Sequence, residues 1–336
     1  MIRIGIIGSG FGLYGLLPAF RSLEECEVVA ISGKKTERVR AYCESIRLKK
    51  IYKDWKVMLE TEKLDAVAIA MPPRIQYEIA MTAMEKGLHV FAEKPLAAST
   101  QQAQELKTRA EEKNVVTTVD FIFPEIQAWQ TVKHMLEEET YGRLQHMSVD
   151  WDFQSYDLRH GIVSWKTDVT EGGGALSFYF SHVLYYIEYF AGKIDVIKSK
   201  FTHSSVSLNG GEVGVDIEFR SASGMTGYAH IDANNKELYR HRLTFECTDA
   251  TIILESSEGI TSHFAIRILT AGNDSKIPVI RDSSRKEEED ERVATVRKIA
   301  SRFIEGCENK KHVIPSFADG LRVQELIDSI RHSQIV

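Results

Sequence analysis

Cysteine is scarce in this sequence, and long apolar runs are absent. Four cysteines occur among 336 residues and none forms a C-x-x-C pair, so we expect neither a zinc or other metal site nor a disulfide framework. No apolar run reaches the roughly eighteen residues of a membrane-spanning helix. The apolar segment 4–20 contains five glycines and no A-x-A cleavage pattern, so we expect no secretion signal. These absences favour a cytoplasmic protein that does not cross a bilayer.

Positive charge is not in excess either. Lysine and arginine number 42 against 48 aspartates and glutamates, which gives a formal net charge of -6. Proteins that bind nucleic acid or anionic membranes normally show clustered excess lysine and arginine. We therefore expect a small molecule as the partner, and neither nucleic acid nor a membrane.

The first third of the chain alternates short apolar runs with segments of helical periodicity. Strands are predicted at 2–7, 27–31, 64–70, 89–92 and 115–119. Helical spacing of apolar residues fills most of the intervals between them. Strands that alternate with helices predict a parallel sheet covered on both faces. We assign residues 1–121 to an α/β domain with a doubly wound parallel sheet.

After residue 121 the pattern changes, and we assign 122–336 to a second, α+β domain. A helix is predicted near 125–138 and an apolar helix through 182–190, while strands are predicted at 144–150, 194–206, 214–220, 225–233, 241–247 and 251–254. Alternating polarity with turn residues between the later strands predicts a mainly antiparallel sheet. The charge run 285–292 is predicted to begin a helix, and 316–331 to form a final helix that can pack back on the first domain.

Gly8-Ser9-Gly10 directly follows the first predicted strand. The pyrophosphate of a dinucleotide requires backbone N–H groups at a helix N-terminus, and glycines where a side chain would block its approach. The third glycine of the G-x-G-x-x-G pattern would fall at Leu13, with Gly12 and Gly15 on either side. Because several strand–helix units follow, we interpret this segment as a dinucleotide-binding turn with an incomplete pattern.

The residues at the end of the second predicted strand indicate which coenzyme is preferred. An acidic residue there would bind the adenosine ribose of NAD, but the sequence has Ser32-Gly33-Lys34-Lys35. Ser32 can donate a hydrogen bond to a 2′-phosphate, and either lysine can neutralise it. We therefore expect NADP in preference to NAD, the alternative being that both lysines are only the solvated start of a helix.

Two further motifs carry a resemblance to a known family. The segment Asp65-Ala66-Val67-Ala68-Ile69-Ala70-Met71-Pro72-Pro73, followed at a helix's length by His89-Val90-Phe91-Ala92-Glu93-Lys94-Pro95-Leu96, resembles the Gfo/Idh/MocA family of oxidoreductases. The glycine turn, the Gly173-Gly174-Ala175-Leu176 helix start, Ser181-His182 and the segment Pro315 to Leu321 extend the resemblance over nearly the whole chain. It implies a Rossmann domain, a C-terminal domain with an open antiparallel sheet, a nicotinamide cofactor and a sugar, cyclitol or nucleotide-sugar substrate.

The resemblance also implies roles for individual residues. Lys94 of Glu-Lys-Pro would lie beside the nicotinamide and exchange a proton with the substrate hydroxyl, as a desolvated lysine can. His182 would meet the substrate, although Phe178 stands where the family has an aspartate one turn earlier; the alternative is a histidine satisfied by packing. Gln76 stands where relatives often have histidine, and Trp165, Lys166 and Asp168 resemble a segment on the substrate side. The residues expected at the dinucleotide are Gly8, Ser9, Gly10, Phe11, Gly12, Ser32, Gly33, Lys34, Lys35, Met71, Pro72, Pro73, Gln76, Glu93 and Lys94.

Three hypotheses about function remain at this point. The leading one is an NAD(P)-dependent dehydrogenase or reductase of a sugar or nucleotide sugar, with Lys94 and His182 as catalytic residues. The second is a catalytically inactive dinucleotide-binding sensor or regulator, suggested by Phe178 and the absent third glycine. The third is another reductive or eliminative reaction with retained cofactor, since a fold does not fix a reaction. An open sheet needs cover, so we also expect a homodimer or homotetramer.

Overall fold

The computed structural model describes residues 1–205, 209–278 and 286–332. The chain forms two compact units, Met1–Ile122 with Ser284–Gln324, and Phe123–Ser283 with Glu325–Val336. No helix within the described ranges is both long and apolar enough to span a bilayer.

The N-terminal part of the first unit alternates strands and helices. A π-helical turn at Gly12–Leu16 precedes the first α-helix. The elements are β1 (Ile2–Ile7), α1 (Leu17–Arg21), β2 (Cys26–Ser32), α2 (Glu37–Ser45), β3 (Ile51–Tyr52), α3 (Trp55–Thr61), β4 (Ala66–Ile69), α4 (Pro73–Glu85), β5 (His89–Ala92), α5 (Thr100–Lys113) and β6 (Thr117–Val119). Helix starts follow local chemistry, because Thr36, Asp54 and Ser99 each accept a backbone N–H of the first turn.

These strands form one parallel sheet in the order β3-β2-β1-β4-β5-β6. The chain builds outward from β1 in one direction and from β4 in the other, so the carboxyl ends of β1 and β4 border a topological switch point, where open α/β sheets bind ligands. The doubly wound Rossmann sheet is confirmed. β3 and α3 were not predicted, because β3 has only two residues and α3 buries little more than Met58 and Leu59.

The second unit is a sheet with helices over one face. Its helices are α6 (Gln127–Glu137), α7 (Tyr156–Arg159) and α8 (Ser181–Ala191), and a π-helical turn at Leu176–Phe180 runs into α8. Its strands are β7 (Leu144–Asp152), β8 (Ile194–His203), β9 (Glu212–Ser221), β10 (Thr226–Asp232), β11 (Arg240–Cys247), β12 (Thr251–Ser256), β13 (Ala265–Thr270) and β14 (Asn273–Ile277).

The eight strands lie in the order β14-β13-β12-β11-β7-β10-β9-β8, and every neighbouring pair is antiparallel except β7 with β10. The mainly antiparallel sheet is therefore confirmed. One face buries apolar side chains such as Phe219 and Phe245. The other face bears ion pairs, including His230 with Asp216 at 2.8 Å and Arg240 with Asp152 at 2.8 Å. This alternation is what a sheet with one covered face requires.

The last two helices are α9 (Val293–Asn309) and α10 (Phe317–His332). Helix α9 belongs to the first unit, where Phe303 packs edge-to-face on Phe20 and Phe91, with ring centroids 6.3 and 5.7 Å apart. The sequence-based division assigns 122–336 to the second domain, with a final helix that can pack back on the first. The structure instead groups α9 and the first part of α10 with the first unit, so the division lies within α10.

The helix predicted to begin in the charge run 285–292 starts later than expected. Residues 286–292 form turns and α9 begins at Val293, while Arg285 lies outside the described residues. The difference has a local cause, because Asp290 accepts hydrogen bonds from both the backbone N–H and the guanidinium of Arg292. These contacts form a turn that stops the helix from extending toward residue 285.

Candidate active site

The glycine turn after β1 can accept only glycine at its first position. Gly8 has φ +123°, and a Cβ there would lie 2.3 Å from the carbonyl oxygen of Ala70 at the end of β4. By contrast, a Cβ on Gly10 would meet nothing within 4 Å. The turn is therefore tightly closed on the sheet side at Gly8 and open at Gly10, which is the cradle that an approaching pyrophosphate needs.

Phe11 and Arg292 form a stacked pair beside this turn. The Phe11 ring occupies the space that a Cβ on Gly15 would take, at 2.3 Å, and the Arg292 guanidinium carbon lies 4.3 Å from the ring centroid on a cation–π contact. Arg292 was not among the predicted site residues, because the charge run that contains it suggested a solvated helix start.

The residues expected at the coenzyme ribose follow β2, and they contact Ser9 in the turn that follows β1. Ser32 is buried, the backbone N–H of Lys34 donates to Ser9 Oγ at 3.0 Å, and a Cβ on Gly33 would lie 2.9 Å from the backbone nitrogen of Ser9. Lys34 and Lys35 are both exposed. The contacts fix the course of the backbone there and leave both ammonium groups facing solvent.

A third cation lies near these lysines. The Arg38 guanidinium carbon lies 4.4 Å from the ring centroid of Tyr14, a residue of the helix that follows the glycine turn. Arg38 is in the first turn of α2, directly after β2. Arg38 was not singled out from the sequence, and only the contact with Tyr14 places it beside the turn.

The Met71-Pro72-Pro73 loop leaves β4 next to the glycine turn, since the Ala70 N–H donates to the Ile7 carbonyl at 2.7 Å. Pro73 is the first residue of α4. Gln76, the fourth residue of α4, is fully buried. Its Nε2 donates to the carbonyl oxygens of Glu93, Pro95 and Leu96 at 2.6, 3.1 and 3.2 Å. Gln76 therefore holds the backbone of the segment that carries Lys94.

We expect Gln76→Glu to lower the free energy of unfolding by about 1–3 kcal/mol, because three buried carbonyl groups lose their donor. Urea unfolding followed by circular dichroism measures this. Gln102→Glu is the matched control. Gln102 Oε1 accepts a hydrogen bond from the Ala98 N–H at 3.2 Å, and a carboxylate oxygen can accept the same hydrogen bond. Equal unfolding midpoints for the Gln76 variant and the native chain would show that the amide does not hold the segment.

Glu93 and Lys94 follow β5, and Asp120 follows β6. The Asp120 N–H donates to the Ala92 carbonyl at 2.9 Å, and the side chains of Glu93 and Asp120 hydrogen bond to each other. Burial raises the pKa of Glu93, against the opposing pull of Lys94. Burial and the neighbouring Glu93 raise the pKa of Asp120 well above its usual value. Asp120 was not predicted as a site residue. A single aspartate after an apolar strand does not indicate a site in the sequence, and only the pairing of β5 with β6 brings it to Glu93.

In the second unit, His182 is buried on α8, with its ring edge-to-face against Phe123 at 5.0 Å between centroids. Phe178, one turn earlier, contacts Trp165 edge-to-face at 5.3 Å. The Lys166 ammonium lies 5.1 Å from the Phe178 ring centroid and 3.5 Å from Asp157 Oδ1. The structure thus gathers Trp165 and Lys166 around Phe178, the position that departs from the family pattern.

The Asp168 side chain forms hydrogen bonds within its own turn. Its carboxylate accepts from the Thr170 N–H at 2.8 Å, from the Thr170 hydroxyl at 2.6 Å and from Asn209 Nδ2 at 2.9 Å. These hydrogen bonds, the Thr170 hydroxyl first, lower the pKa of Asp168. A carboxylate occupied in this way closes the loop that precedes the glycine run, and a role in substrate binding stays a prediction.

The glycine run lets a buried carboxylate reach the helix start. Gly174 has φ +92°, and a Cβ there would lie 2.4 Å from Glu212 Oε1. Glu212 accepts from the Leu176 N–H at 2.9 Å, and Arg331 lies 3.6 Å from the same carboxylate oxygen. Sequence reasoning missed Glu212 and Arg331, because strand β9 and helix α10 bring them to the glycine run from distant positions in the chain.

Comparison with known proteins agrees with both units. The model of the oxidoreductase family with an NAD-binding Rossmann fold matches residues 2–121, and the model of the GFO/IDH/MocA C-terminal domain matches residues 129–253. A dTDP-3,4-didehydro-2,6-dideoxy-alpha-D-glucose 3-reductase from Actinomadura kijaniata is 29% identical over 176 residues, which is 52% of this chain and 52% of the relative. The chain thus matches about half the length of the curated relatives it resembles.

Solved structures resemble the fold over almost its full length. Levoglucosan dehydrogenase in complex with NADH and levoglucosan has a TM-score of 0.85 at 20% identity, covering 99% of this chain and 96% of its own. The 3-ketoreductase KijD10 from Actinomadura kijaniata, in complex with NADP and TDP-benzene, has a TM-score of 0.83 at 20% identity, covering 99% and 98%. From the two matched models and the two units of the fold, the chain belongs to the Gfo/Idh/MocA family of oxidoreductases.

Proposed function

We propose that this chain is an NAD(P)-dependent dehydrogenase or reductase that transfers hydride between a nicotinamide and a hydroxyl or ketone carbon of a sugar or nucleotide sugar. The observation that carries the proposal is Lys94 on a segment fixed by Gln76, in the same unit as the open glycine turn. The named relatives support the substrate class, since one is a dTDP-sugar reductase and another a levoglucosan dehydrogenase.

The residues fit a dinucleotide, because Gly10 leaves open space at the turn and Gly8 holds the turn against the sheet. A bound nicotinamide dinucleotide would supply or accept the hydride. Lys94 would take the proton of the substrate hydroxyl in oxidation and return it in reduction. His182 would donate a hydrogen bond to a substrate hydroxyl, and Trp165 with Lys166 would meet the sugar or its phosphate.

The experiment that tests the function is a screen of sugars, cyclitols and nucleotide sugars with both oxidised and both reduced coenzymes, following nicotinamide absorbance. Turnover of any of these substrates supports the proposal. The second candidate, a dinucleotide-binding regulator without catalysis, is favoured by Phe178 in place of the family aspartate. Tight coenzyme binding with no turnover across the whole panel would replace the dehydrogenase by the regulator. A homodimer or homotetramer and a cytoplasmic location stay predictions.

We propose NADP as the preferred coenzyme, since Lys34, Lys35 and Arg38 place three cations after β2. The variant Lys34→Ala/Lys35→Ala/Arg38→Ala is expected to weaken NADPH binding by about tenfold to a hundredfold and to leave NADH unchanged, because hydrogen bonds to a charged group contribute about 1.5–3 kcal/mol. A fluorescence titration measures both. Lys86→Ala, an exposed lysine at the far end of α4, is the control. Equal losses for the two coenzymes would contradict the proposed phosphate contact.

A further inference from the structure

Two carboxyl groups meet beside the candidate catalytic lysine, whose backbone N–H donates to Glu93 Oε2 at 3.1 Å. Glu93 and Asp120 follow adjacent parallel strands, β5 and β6, whose pairing brings Ala92 opposite Val119. Their side chains hydrogen bond to each other, and Asp120 is only 2% exposed. Asp120 Oδ1 has no hydrogen-bond partner among the described residues. The pair therefore retains an acceptor atom that no described residue uses.

A hydrogen bond between two carboxyl groups needs a proton. Two ionised carboxylates in contact repel each other, so such pairs hold one proton between them, and burial increases this tendency. The charged groups that face the pair are Lys94 and Arg292. Arginine keeps its proton under ordinary conditions, so Lys94 is the one of these two cations whose charge can change during a reaction.

We propose that the Glu93–Asp120 pair carries one shared proton at neutral pH and exchanges a second proton with Lys94 during each turnover. In oxidation, the hydroxyl proton passes to Lys94 Nζ and then to the carboxylate of the pair, which becomes a neutral diacid and releases that proton to solvent before the next turnover. The hydride and its electron pair leave the substrate carbon for the nicotinamide of the proposed function, on which this inference rests. In reduction the proton follows the reverse course. Asp120 acts through Lys94 and is a positioning residue.

The first test uses the full chain without coenzyme or substrate. Asp120→Asn and Glu93→Gln each replace one carboxyl by an amide that can donate to the other, so the contact is kept and the shared proton is removed. Infrared spectroscopy at neutral pH should show the C=O stretch of a protonated carboxyl group in the native chain and not in either variant. Glu105→Gln, which changes a half-buried carboxylate that accepts a hydrogen bond from the Tyr77 hydroxyl and lies outside the pair, should keep the band. A native chain without the band, or a band that persists in both variants, would overturn the proposal.

The second test measures turnover by the same variants. We expect kcat to fall at least about tenfold in both, a part of the usual contribution of general acid–base catalysis, with KM unchanged and with the pH dependence of kcat altered. A pair that only holds the segment in place would tolerate both substitutions, because each keeps the hydrogen bond; native kcat and pH profile in both variants would therefore overturn the relay. A native chain that shows the infrared band but no turnover refutes the dehydrogenase function instead, so the two failures are distinguishable.

Discussion

Lys94→Met is expected to reduce kcat about 10²-fold to 10⁴-fold, the largest effect on activity of any single substitution considered. Methionine matches the length of the lysine stem but can neither accept nor donate a proton, so the substrate hydroxyl loses its acid–base partner. Coenzyme affinity should remain, because the glycine turn and the lysines after β2 lie on other segments. Stopped-flow or steady-state turnover, together with a coenzyme titration, measures both quantities.

Lys94→Arg separates proton transfer from charge. Arginine stays protonated under ordinary conditions, so it supplies the positive charge but cannot act as a base. We expect this variant to be nearly as slow as Lys94→Met in the oxidative direction. If it kept native activity, Lys94 would serve as an electrostatic anchor, and the assignment of a proton-transfer role would be wrong.

Gly8→Ala is expected to lower the free energy of unfolding by about 2–6 kcal/mol, the largest effect on stability. The added Cβ would lie 2.3 Å from the backbone oxygen of Ala70, and φ +123° is strained for any L side chain. Overpacking and backbone strain each contribute about 1–3 kcal/mol. The obstacle is backbone at the end of a central strand, so no side-chain rotation can relieve it. Urea unfolding with calorimetry measures the loss.

Gly10→Ala is the matched control for the same turn. Its Cβ would meet no atom within 4 Å, so stability should be unchanged, whereas the methyl group would occupy the space that the pyrophosphate approaches. We expect native unfolding with weakened coenzyme binding. Two glycines separated by one residue would then have different roles, one for the fold and one for the ligand. Normal coenzyme affinity in Gly10→Ala would place the phosphate elsewhere.

The fold class could be predicted because its signals are local in the sequence. The apolar runs that became β1, β4 and β5 are strands in which most or all residues are buried, and the glycine turn follows the first of them. The alternation within β9 likewise predicts a half-buried antiparallel strand. β13, with Ile266 and Ile268 buried, has the same alternation and could have been found. β14 is almost entirely polar, because an edge strand buries little and leaves no apolar pattern.

Site residues could be predicted from the sequence only where a single short segment contains the whole motif. The Glu-Lys-Pro motif singled out Lys94, but the hydrogen bonds from Gln76 to this segment depend on where α4 lies against the chain after β5. The carboxyl pair depends on β5 and β6 being neighbours, and the stack of Arg292 on Phe11 joins residues 281 positions apart. Such contacts have no periodicity or spacing that a single sequence can reveal.

Helix α9 has a consequence for the order in which the protein folds. The sheet that would hold the coenzyme is made from the first part of the chain, yet Phe20 and Phe91 complete their packing only with Phe303. Domains normally fold during synthesis in N-terminal-first order. Here the ribosome must translate the whole second sheet before the first unit receives its last apolar layer. We infer that the N-terminal unit can complete its packing only after the second sheet has been synthesised, and that nascent chains expose this aromatic surface in the meantime.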